Sequence, residues 1–431
     1  MRKILVYLLM MFVSVQSWAM TLINDTETEK LLTELVAPLA TAAKIPDGRM
    51  RIHIVNDDDF NAFVRGGEDV YVYTGLLKQI QTPDALQAVI AHELGHTVGG
   101  HVAQMSARMD AEMKRTMLIQ ALGIGLMVAG GNPSLGAGVL AGSSGVATQS
   151  MLAFSRDEER IADNLGIDLM IDAGLNPNGF ITVFNQMNNL TGEMEGRINP
   201  NKINHPLTRE RLNNAREYIA KHSPNYKAPD TTVHDSRYDL VRAKLVGYLD
   251  DSKNVLQKYP YADKSDAALY ARAIANMRGG NLDGARMGTQ TLISRNPDNG
   301  YFYELLGDIE YQFGHYDDSV VAYEHALNVL DNAPQVETAL ALVLSERDKP
   351  GDSVRAIELC KRAILSEPTP LAYWVLARTY GDNDAGRSAW AMAEYHALRG
   401  DVDAAKKYAY SAQKKLKKTD PEYIKAGDLI K

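Results

Sequence analysis

The run H-E-L-G-H at His92–His96 constrains the fold of this chain more than any other feature, because it requires a helix with two imidazoles on one face. Residues four apart on a helix are neighbours, so both histidines can reach one metal ion. Thr82 can cap that helix and Pro83 suits its first position, so the helix is predicted to begin there. Glu93, beside the first histidine, can orient and deprotonate a metal-bound water. This spacing is typical of zinc sites that activate water.

A catalytic zinc ion needs three protein ligands and one open position, so another element must supply the third ligand. A second helix is predicted after Ser155, where Glu158 completes a capping box. Glu159 and Asp163 lie four residues apart on that helix and share a face, with small residues nearby that permit close helix packing. Glu159 is the candidate third ligand, and a solvated acidic face is the alternative that the spacing alone leaves open. Asp163 is predicted to bind the other ring nitrogen of a ligand histidine, which fixes its tautomer.

His101 is the nearest other histidine and needs a separate assignment. It follows His96 by five residues and His92 by nine. On a regular helix those steps rotate it by about 140° and 180° away from the two ligands. It cannot reach the same ion unless Gly99-Gly100 breaks the helix. We therefore predict a structural role for His101.

The start of the chain and its composition narrow the class of protein. Residues 1–19 are predicted to be a secretory signal peptide, because a positive start and a short apolar stretch precede a small-x-small site at Ser17–Ala19. A transmembrane anchor is the weaker alternative, since the stretch falls short of the ~20 residues that a bilayer requires. Cys360 is the single cysteine, which excludes an internal disulfide. A net charge of −8 without a basic block argues against nucleic acid as a partner.

The remaining chain divides into three regions. Residues 20–222 mix strand-like and helical patterns, and residues 223–237 are polar, contain two prolines and are predicted to be a linker. Residues 238–431 are almost entirely helical. In that region Ala285 precedes Pro297 by twelve residues and Ala356 precedes Pro368 by the same number, which predicts tetratricopeptide-like units of about 34 residues. The spacing drifts, so a generic helical array is the alternative; either array would usually bind protein.

Three motifs together resemble metallopeptidase family forty-eight. They are the H-E-L-G-H run, E-R-I-A-D at Glu159–Asp163, and His205-Pro206-Leu207 followed by Arg211. The resemblance implies an α+β, mostly helical chain, with a gluzincin-type peptidase domain that has a small β-sheet and precedes the all-α repeats. It implies one zinc ion per chain, bound by His92, His96 and Glu159, with Glu93 as the general base and Asp163 in contact with the ligands.

His205 and Arg211 take their expected roles from the same resemblance. His205 is placed over the zinc, either as a displaceable fourth ligand or as a donor to the developing oxyanion. A loop histidine without a role is the alternative. Arg211 is expected to brace that loop or the active site.

Two further segments are candidates for contact with substrate. Val70, Tyr71, Val72 and Tyr73 alternate like a half-buried strand. At a sheet edge this strand could pair with an extended substrate by β-augmentation, whereas an internal strand of a small sheet is an equally weighted alternative. Met117–Leu140 is apolar, but its uninterrupted runs are too short to span a bilayer. The resemblance implies a flexible helical hairpin near the cleft that touches membrane or substrate; a buried core hairpin is the alternative.

The signal peptide, the single peptidase domain and the trailing repeats together resemble periplasmic members of the family. That resemblance implies a periplasmic zinc endopeptidase in quality control or assembly of outer-membrane β-barrel proteins. Its substrates would be unfolded or stalled outer-membrane proteins, and its repeats would recruit them or the β-barrel assembly machinery. The alternative is a latent or inactive peptidase that serves as a chaperone or a repeat-based scaffold. The intact ligands and base favour the enzyme, and the lack of apolar spans disfavours an integral-membrane peptidase.

Overall fold

The computed structural model describes residues 21–101, 156–193, 209–224 and 235–430. The predicted signal peptide, the segment Met117–Leu140, His205 and most of the predicted linker lie outside these residues.

A four-stranded sheet opens the described chain, with strand order β1-β2-β4-β3. The strands are β1 (Leu22–Ile23), β2 (Arg51–Val55), β3 (Ala62–Arg65) and β4 (Asp69–Tyr73). β2 pairs in parallel with β4, while β1–β2 and β3–β4 are antiparallel pairs. Successive side chains point to opposite faces of the sheet. Ile54, Val70 and Val72 are fully buried on one face, and Phe63 stacks on Tyr71 on the other.

Of the described helices, the first six in chain order pack with this sheet around one apolar core, to which α7 (Ser236–Leu249) also contributes. They are α1 (Thr26–Ala42), α2 (Thr74–Gln79), α3 (Pro83–Val98), α4 (Arg156–Asp172), α5 (Gly179–Glu193) and α6 (Arg209–His222). α3 lies at the centre, because it is apolar nearly all round: Leu86, Ile90 and Leu94 are each at most 1% exposed. It packs against α4, α5 and β3. The H-E-L-G-H run is therefore held in the interior of the fold.

The rest of the described chain is helical. Its helices are α7 (Ser236–Leu249), α8 (Ser252–Lys258), α9 (Asp266–Arg278), α10 (Leu282–Arg295), α11 (Gly300–Gln312), α12 (Tyr316–Val329), α13 (Pro334–Arg347), α14 (Asp352–Ser366), α15 (Pro370–Tyr380), α16 (Ala385–Leu398), α17 (Val402–Lys415) and α18 (Pro421–Ile430). α9, α11 and α13 begin 34 residues apart and each pairs with the next helix, as tetratricopeptide-like units require. One helix, α15, then stands between the pair α13–α14 and the closely packed pair α16–α17. This additional helix lengthens the last interval of the repeat, between Ala356 and Ala405.

The two parts of the chain share contacts. Tyr238 and Val241 of α7 belong to the core of the sheet-containing part, and the Tyr238 hydroxyl donates to the carbonyl of Ile80. On another side of α7, the Lys244 ammonium lies 2.6 Å from Asp25 Oδ1 and 3.1 Å from the Glu27 carboxylate. The start of α1 is thus held between the sheet and the repeats.

The predicted α+β, mostly helical fold is confirmed by this arrangement. Along the described ranges, none of the helices combines the length and apolarity that crossing a membrane requires.

Candidate metal centre

The two helices that were predicted to carry the metal ligands bring them together. His92 Nε2 and His96 Nε2 lie 3.1 Å apart. The Glu159 carboxylate reaches both, with Oε2 at 3.5 Å from His92 Nε2 and Oε1 at 3.6 Å from His96 Nε2. All three residues are buried and their ligand atoms converge on one point. These distances set the size of the donor triangle that the two imidazole nitrogens form with the Glu159 carboxylate, in which each carboxylate oxygen faces one nitrogen.

The size of this triangle tests whether a zinc ion fits. Tetrahedral zinc with ligand distances of about 2.0–2.2 Å places neighbouring donor atoms about 3.3–3.5 Å apart. The observed edges of 3.1, 3.5 and 3.6 Å bracket that range. Two imidazoles and one carboxylate, with one side open to a cavity, are also the donor set of catalytic zinc sites. The residues therefore fit zinc.

Close packing of α3 on α4 sets the position of Glu159. A Cβ on Gly95 would lie 2.4 Å from the Ala162 carbonyl oxygen, and one on Gly166 would lie 2.9 Å from the Ala91 carbonyl oxygen. The two helices touch through their backbones at these points, as the small residues predicted. Thr82 does occupy the N-cap of α3, but its side chain makes no capping hydrogen bond. The start of α3 thus relies on Pro83 and on packing.

Asp163 contacts the ring of His92, and Arg211 binds Asp163 from α6. Asp163 Oδ1 lies 2.9 Å from His92 Nδ1, so it holds the ring nitrogen that faces away from the metal position. Arg211 donates a fork of two hydrogen bonds to Asp163, at 2.8 and 2.7 Å, and its Nη1 lies 2.7 Å from Glu159 Oε2. One guanidinium therefore braces the two carboxylates that α4 contributes to the site.

These contacts set the protonation of the site. Burial raises the pKa of Asp163, but Arg211 and His92 outweigh it and leave that pKa below its ordinary value. Burial lowers the pKa of His92, but Asp163 and Glu159 act more strongly and raise it to about 9. The pKa of Arg211 rises because its carboxylate partners outweigh its burial. Asp163 and Arg211 are accordingly an ion pair at neutral pH.

Glu93 faces a largely apolar cavity beside the ligands. His92, Glu93 and Arg211 line it together with Ala62 at the start of β3 and Phe184 of α5. The ring of Phe184 lies 5.2 Å from the guanidinium carbon of Arg211. The predicted base thus lies where a substrate could reach it, and β3 borders the same space.

The predicted substrate strand is not at a sheet edge. Val70, Tyr71, Val72 and Tyr73 lie on β4, between β2 and β3, so the backbone of β4 is paired on both sides. The β-augmentation role for these four residues is therefore wrong, and the internal-strand alternative is correct. Within the described residues, no strand pairs with the outer side of β3, which makes β3 (Ala62–Arg65) the edge beside the site.

His101 has a partner that the sequence did not indicate. Its Nδ1 lies 3.1 Å from Nδ1 of His96, on the side of that ring opposite the metal position. The prediction that it is not a ligand agrees with this geometry. The only sequence signal for the contact was Gly99-Gly100, which could break the helix. His205 lies outside the described residues, so its role stays a prediction.

Comparison with known proteins agrees with this site. The model of Peptidase family M48 matches residues 26–219, which contain all the ligands described above. The β-barrel assembly-enhancing protease of Escherichia coli K12 is 24% identical over 407 residues, covering 92% of this chain and 81% of the relative. A mitochondrial metalloendopeptidase of Schizosaccharomyces pombe is 28% identical, covering 44% of this chain and 53% of the relative. The E. coli metalloprotease LoiP is also 28% identical, over 46% of this chain and 72% of the relative.

Among solved structures, a thermophilic TPR protein of Thermus thermophilus is similar over 45% of this chain and 93% of that chain. Its identity is 19% and its TM-score 0.27, a likeness too weak to carry an argument about the fold.

The motif resemblance seen in the sequence is thus confirmed by a family match over the region that holds the site. Zinc is the cofactor of this family, and the donor triangle of His92, His96 and Glu159 has the size that zinc requires. The chain is a zinc metalloendopeptidase whose residues 26–219 match peptidase family M48, and it resembles the β-barrel assembly-enhancing proteases.

Proposed function

We propose that this chain is a periplasmic endopeptidase that acts in quality control or assembly of outer-membrane β-barrel proteins. The observation that carries the proposal is the convergence of His92, His96 and Glu159 to within 3.6 Å, next to Glu93 in an open cavity. The substrate class and the compartment rest on similarity along 92% of the chain to relatives named for β-barrel assembly. The predicted signal peptide at 1–19 supports the same compartment.

The catalytic roles follow from the chemistry of the side chains. His92, His96 and Glu159 would hold the zinc ion, which would lower the pKa of a bound water into the neutral range and polarise the scissile carbonyl. Glu93 accepts the proton of the attacking water and passes it to the leaving amine. Asp163 holds His92 in the tautomer that can donate an electron pair, and Arg211 fixes Asp163 and Glu159.

Substrate would bind as an extended strand along β3. This strand is at the sheet edge, and Ala62 at its start lines the same cavity as Glu93. Backbone hydrogen bonds to an edge strand hold a peptide of almost any sequence, as a quality-control protease needs. His205 would complete the site as a displaceable fourth ligand or an oxyanion donor. The repeats would recruit unfolded outer-membrane proteins or the β-barrel assembly machinery, and Met117–Leu140 would supply any peripheral membrane contact.

The decisive experiment compares the mature chain with Glu93→Gln and with Glu217→Gln, an exposed control on α6. Bound zinc is measured for each, and cleavage of an unfolded β-barrel protein is followed by gel and mass spectrometry. We expect one zinc per chain in all three and cleavage lost only in Glu93→Gln. Equal cleavage by all three would rule out the assigned base. Absence of cleavage in all three, with zinc bound, would favour the latent-scaffold alternative, and His205→Ala would then test whether a fourth ligand causes the latency.

A further inference from the structure

The segment after α3 turns His101 back onto the helix it has just left. α3 ends at Val98, and the Gly99 amide donates to the Gly95 carbonyl. Gly100 has a φ of +72°, in the left-handed region that favours glycine. This reversal places His101 in the interior, where its side chain is 3% exposed.

The His101 ring packs tightly where it lands. A Cβ on Gly99 would lie 3.0 Å from both Cε1 and Nε2 of His101, so the imidazole rests directly on the Gly99 backbone. Its Nδ1 is 3.1 Å from Nδ1 of His96, within hydrogen-bond distance. Both glycines are therefore needed, one for the turn and one for the space that the ring occupies.

A hydrogen bond between two Nδ1 atoms fixes which ring carries which proton. If His96 donates its Nε2 lone pair to a metal, its remaining proton is on Nδ1, and that Nδ1 must donate. His101 Nδ1 is then the acceptor, so the proton of the neutral His101 ring is on Nε2. With the opposite arrangement, His96 would point an N–H at the metal position and could not bind.

We propose that His101 is the positioning residue of His96: its Nδ1 accepts a hydrogen bond that holds the His96 ring in the metal-binding tautomer and orientation. This inference rests on the proposed roles of His92, His96 and Glu159 as ligands. The two ligand histidines then have different supports. Asp163 gives His92 a charged partner, while His101 gives His96 a neutral one.

The first test is made on the unsubstituted chain. In the zinc-loaded protein with ¹⁵N-labelled histidine, long-range proton–nitrogen NMR reports the tautomer of each ring. His101→Asn, which retains the ligands, identifies the His101 signal, and sequential contacts along α3 identify that of His96. We expect His96 protonated on Nδ1 and His101 protonated on Nε2. A His101 ring that is protonated on Nδ1, or on both nitrogens, would overturn the proposal.

The second test measures zinc affinity by competition with a chelator. His101→Phe keeps a ring but removes the acceptor, and we expect zinc to bind about 10–100-fold more weakly. His101→Asn places a carbonyl oxygen close to the position of Nδ1, so its affinity is expected to recover to within a few-fold of wild type. A merely structural role predicts no such recovery, because Asn fills less of the space than Phe.

His92→Ala separates failure of this inference from failure of the zinc site itself. Loss of zinc in His92→Ala with wild-type affinity in His101→Phe would refute the role of His101 and leave the ligands in place. Unchanged zinc binding in His92→Ala would refute the ligand set. If His101→Phe unfolds, as circular dichroism would show, the tautomer measurement on the unsubstituted chain still decides.

Discussion

Replacing Arg211 by methionine is the sharpest test of how the site is held together. Arg211 is 7% exposed and is the shared partner of two buried carboxylates, with contacts of 2.7–2.8 Å to Asp163 and 2.7 Å to Glu159. Methionine keeps much of the volume but leaves both negative charges without this cation. Removal of one partner of a buried ion pair costs about 3–5 kcal/mol. We expect the metal-free chain to lose about that much free energy of unfolding.

Bound zinc should reduce this loss of stability, because its positive charge would neutralise the Glu159 carboxylate. Only Asp163 would then lack the two hydrogen bonds that Arg211 donates. The difference between metal-free and zinc-loaded protein, measured by urea titration of the peptidase transition, is therefore part of the prediction. Arg211→Lys is the matched control. It retains the charge but cannot make the paired hydrogen bonds, so an intermediate loss is expected.

A double-mutant cycle with Asp163→Asn isolates the pair itself. If the fork stabilises the fold as described, the double variant should be more stable than the sum of the two single losses predicts, by more than about 1 kcal/mol. Additive losses, or an Arg211→Met variant within about 1 kcal/mol of wild type without metal, would refute the reasoning.

Three other substitutions probe the packing and the junction. Gly95→Ala should lower zinc affinity and melting temperature, because a Cβ only 2.4 Å from the Ala162 carbonyl oxygen pushes α4 and its ligand away. Gly288→Ala is the control: its Cβ would meet the Ala273 methyl at 3.3 Å, far from the ligands, so it should leave zinc affinity unchanged and shift the melting temperature much less. Burial raises the pKa of the Glu304 carboxyl group. The folded chain therefore keeps the carboxyl proton above pH 4.5, where the unfolded chain releases it, and the folded state loses stability as the pH rises. Glu304→Gln should therefore stabilise by about 1–2 kcal/mol at pH 8, a modest gain because the side chain is only partly buried, and have almost no effect at pH 4.5, as urea titration at both pH values would show. Lys244→Met should cost about 3 kcal/mol in the same titration, since it leaves two carboxylates at the start of α1 without their cation.

The residue pairs that could be predicted from the sequence are those whose spacing along a single helix places them on one face. His92 and His96 are one turn apart on α3, and Glu159 and Asp163 are one turn apart on α4. Such spacing fixes a shared face whatever the rest of the fold does. Spacing therefore paired the residues within each helix, and the family resemblance joined the two pairs into one site.

The features that could not be predicted depend on the fold as a whole. Alternation along Val70–Tyr73 predicts a strand with two faces, but it does not say how many neighbours the strand has. Strand order is set by tertiary packing, which placed β4 inside the sheet and β3 at its edge. Arg211 reaches Asp163 across 48 residues of sequence, so no local pattern specifies that pair. The resemblance assigned Arg211 to the site, but only the structure identified the atoms it binds.

His101 shows where local reasoning stops. The helix periodicity directed its side chain away from the metal, and that conclusion holds for any continuation of α3. The positive φ at Gly100 ends the helix and turns the chain back, so the helical periodicity no longer applies to His101. The sequence alone does not specify the sign of φ at a glycine. The same reversal returns His101 to the back of the His96 ring rather than to the metal position. A histidine that periodicity excludes as a metal ligand can still orient a ligand by a hydrogen bond, because a metal-binding imidazole has a second nitrogen that needs a partner.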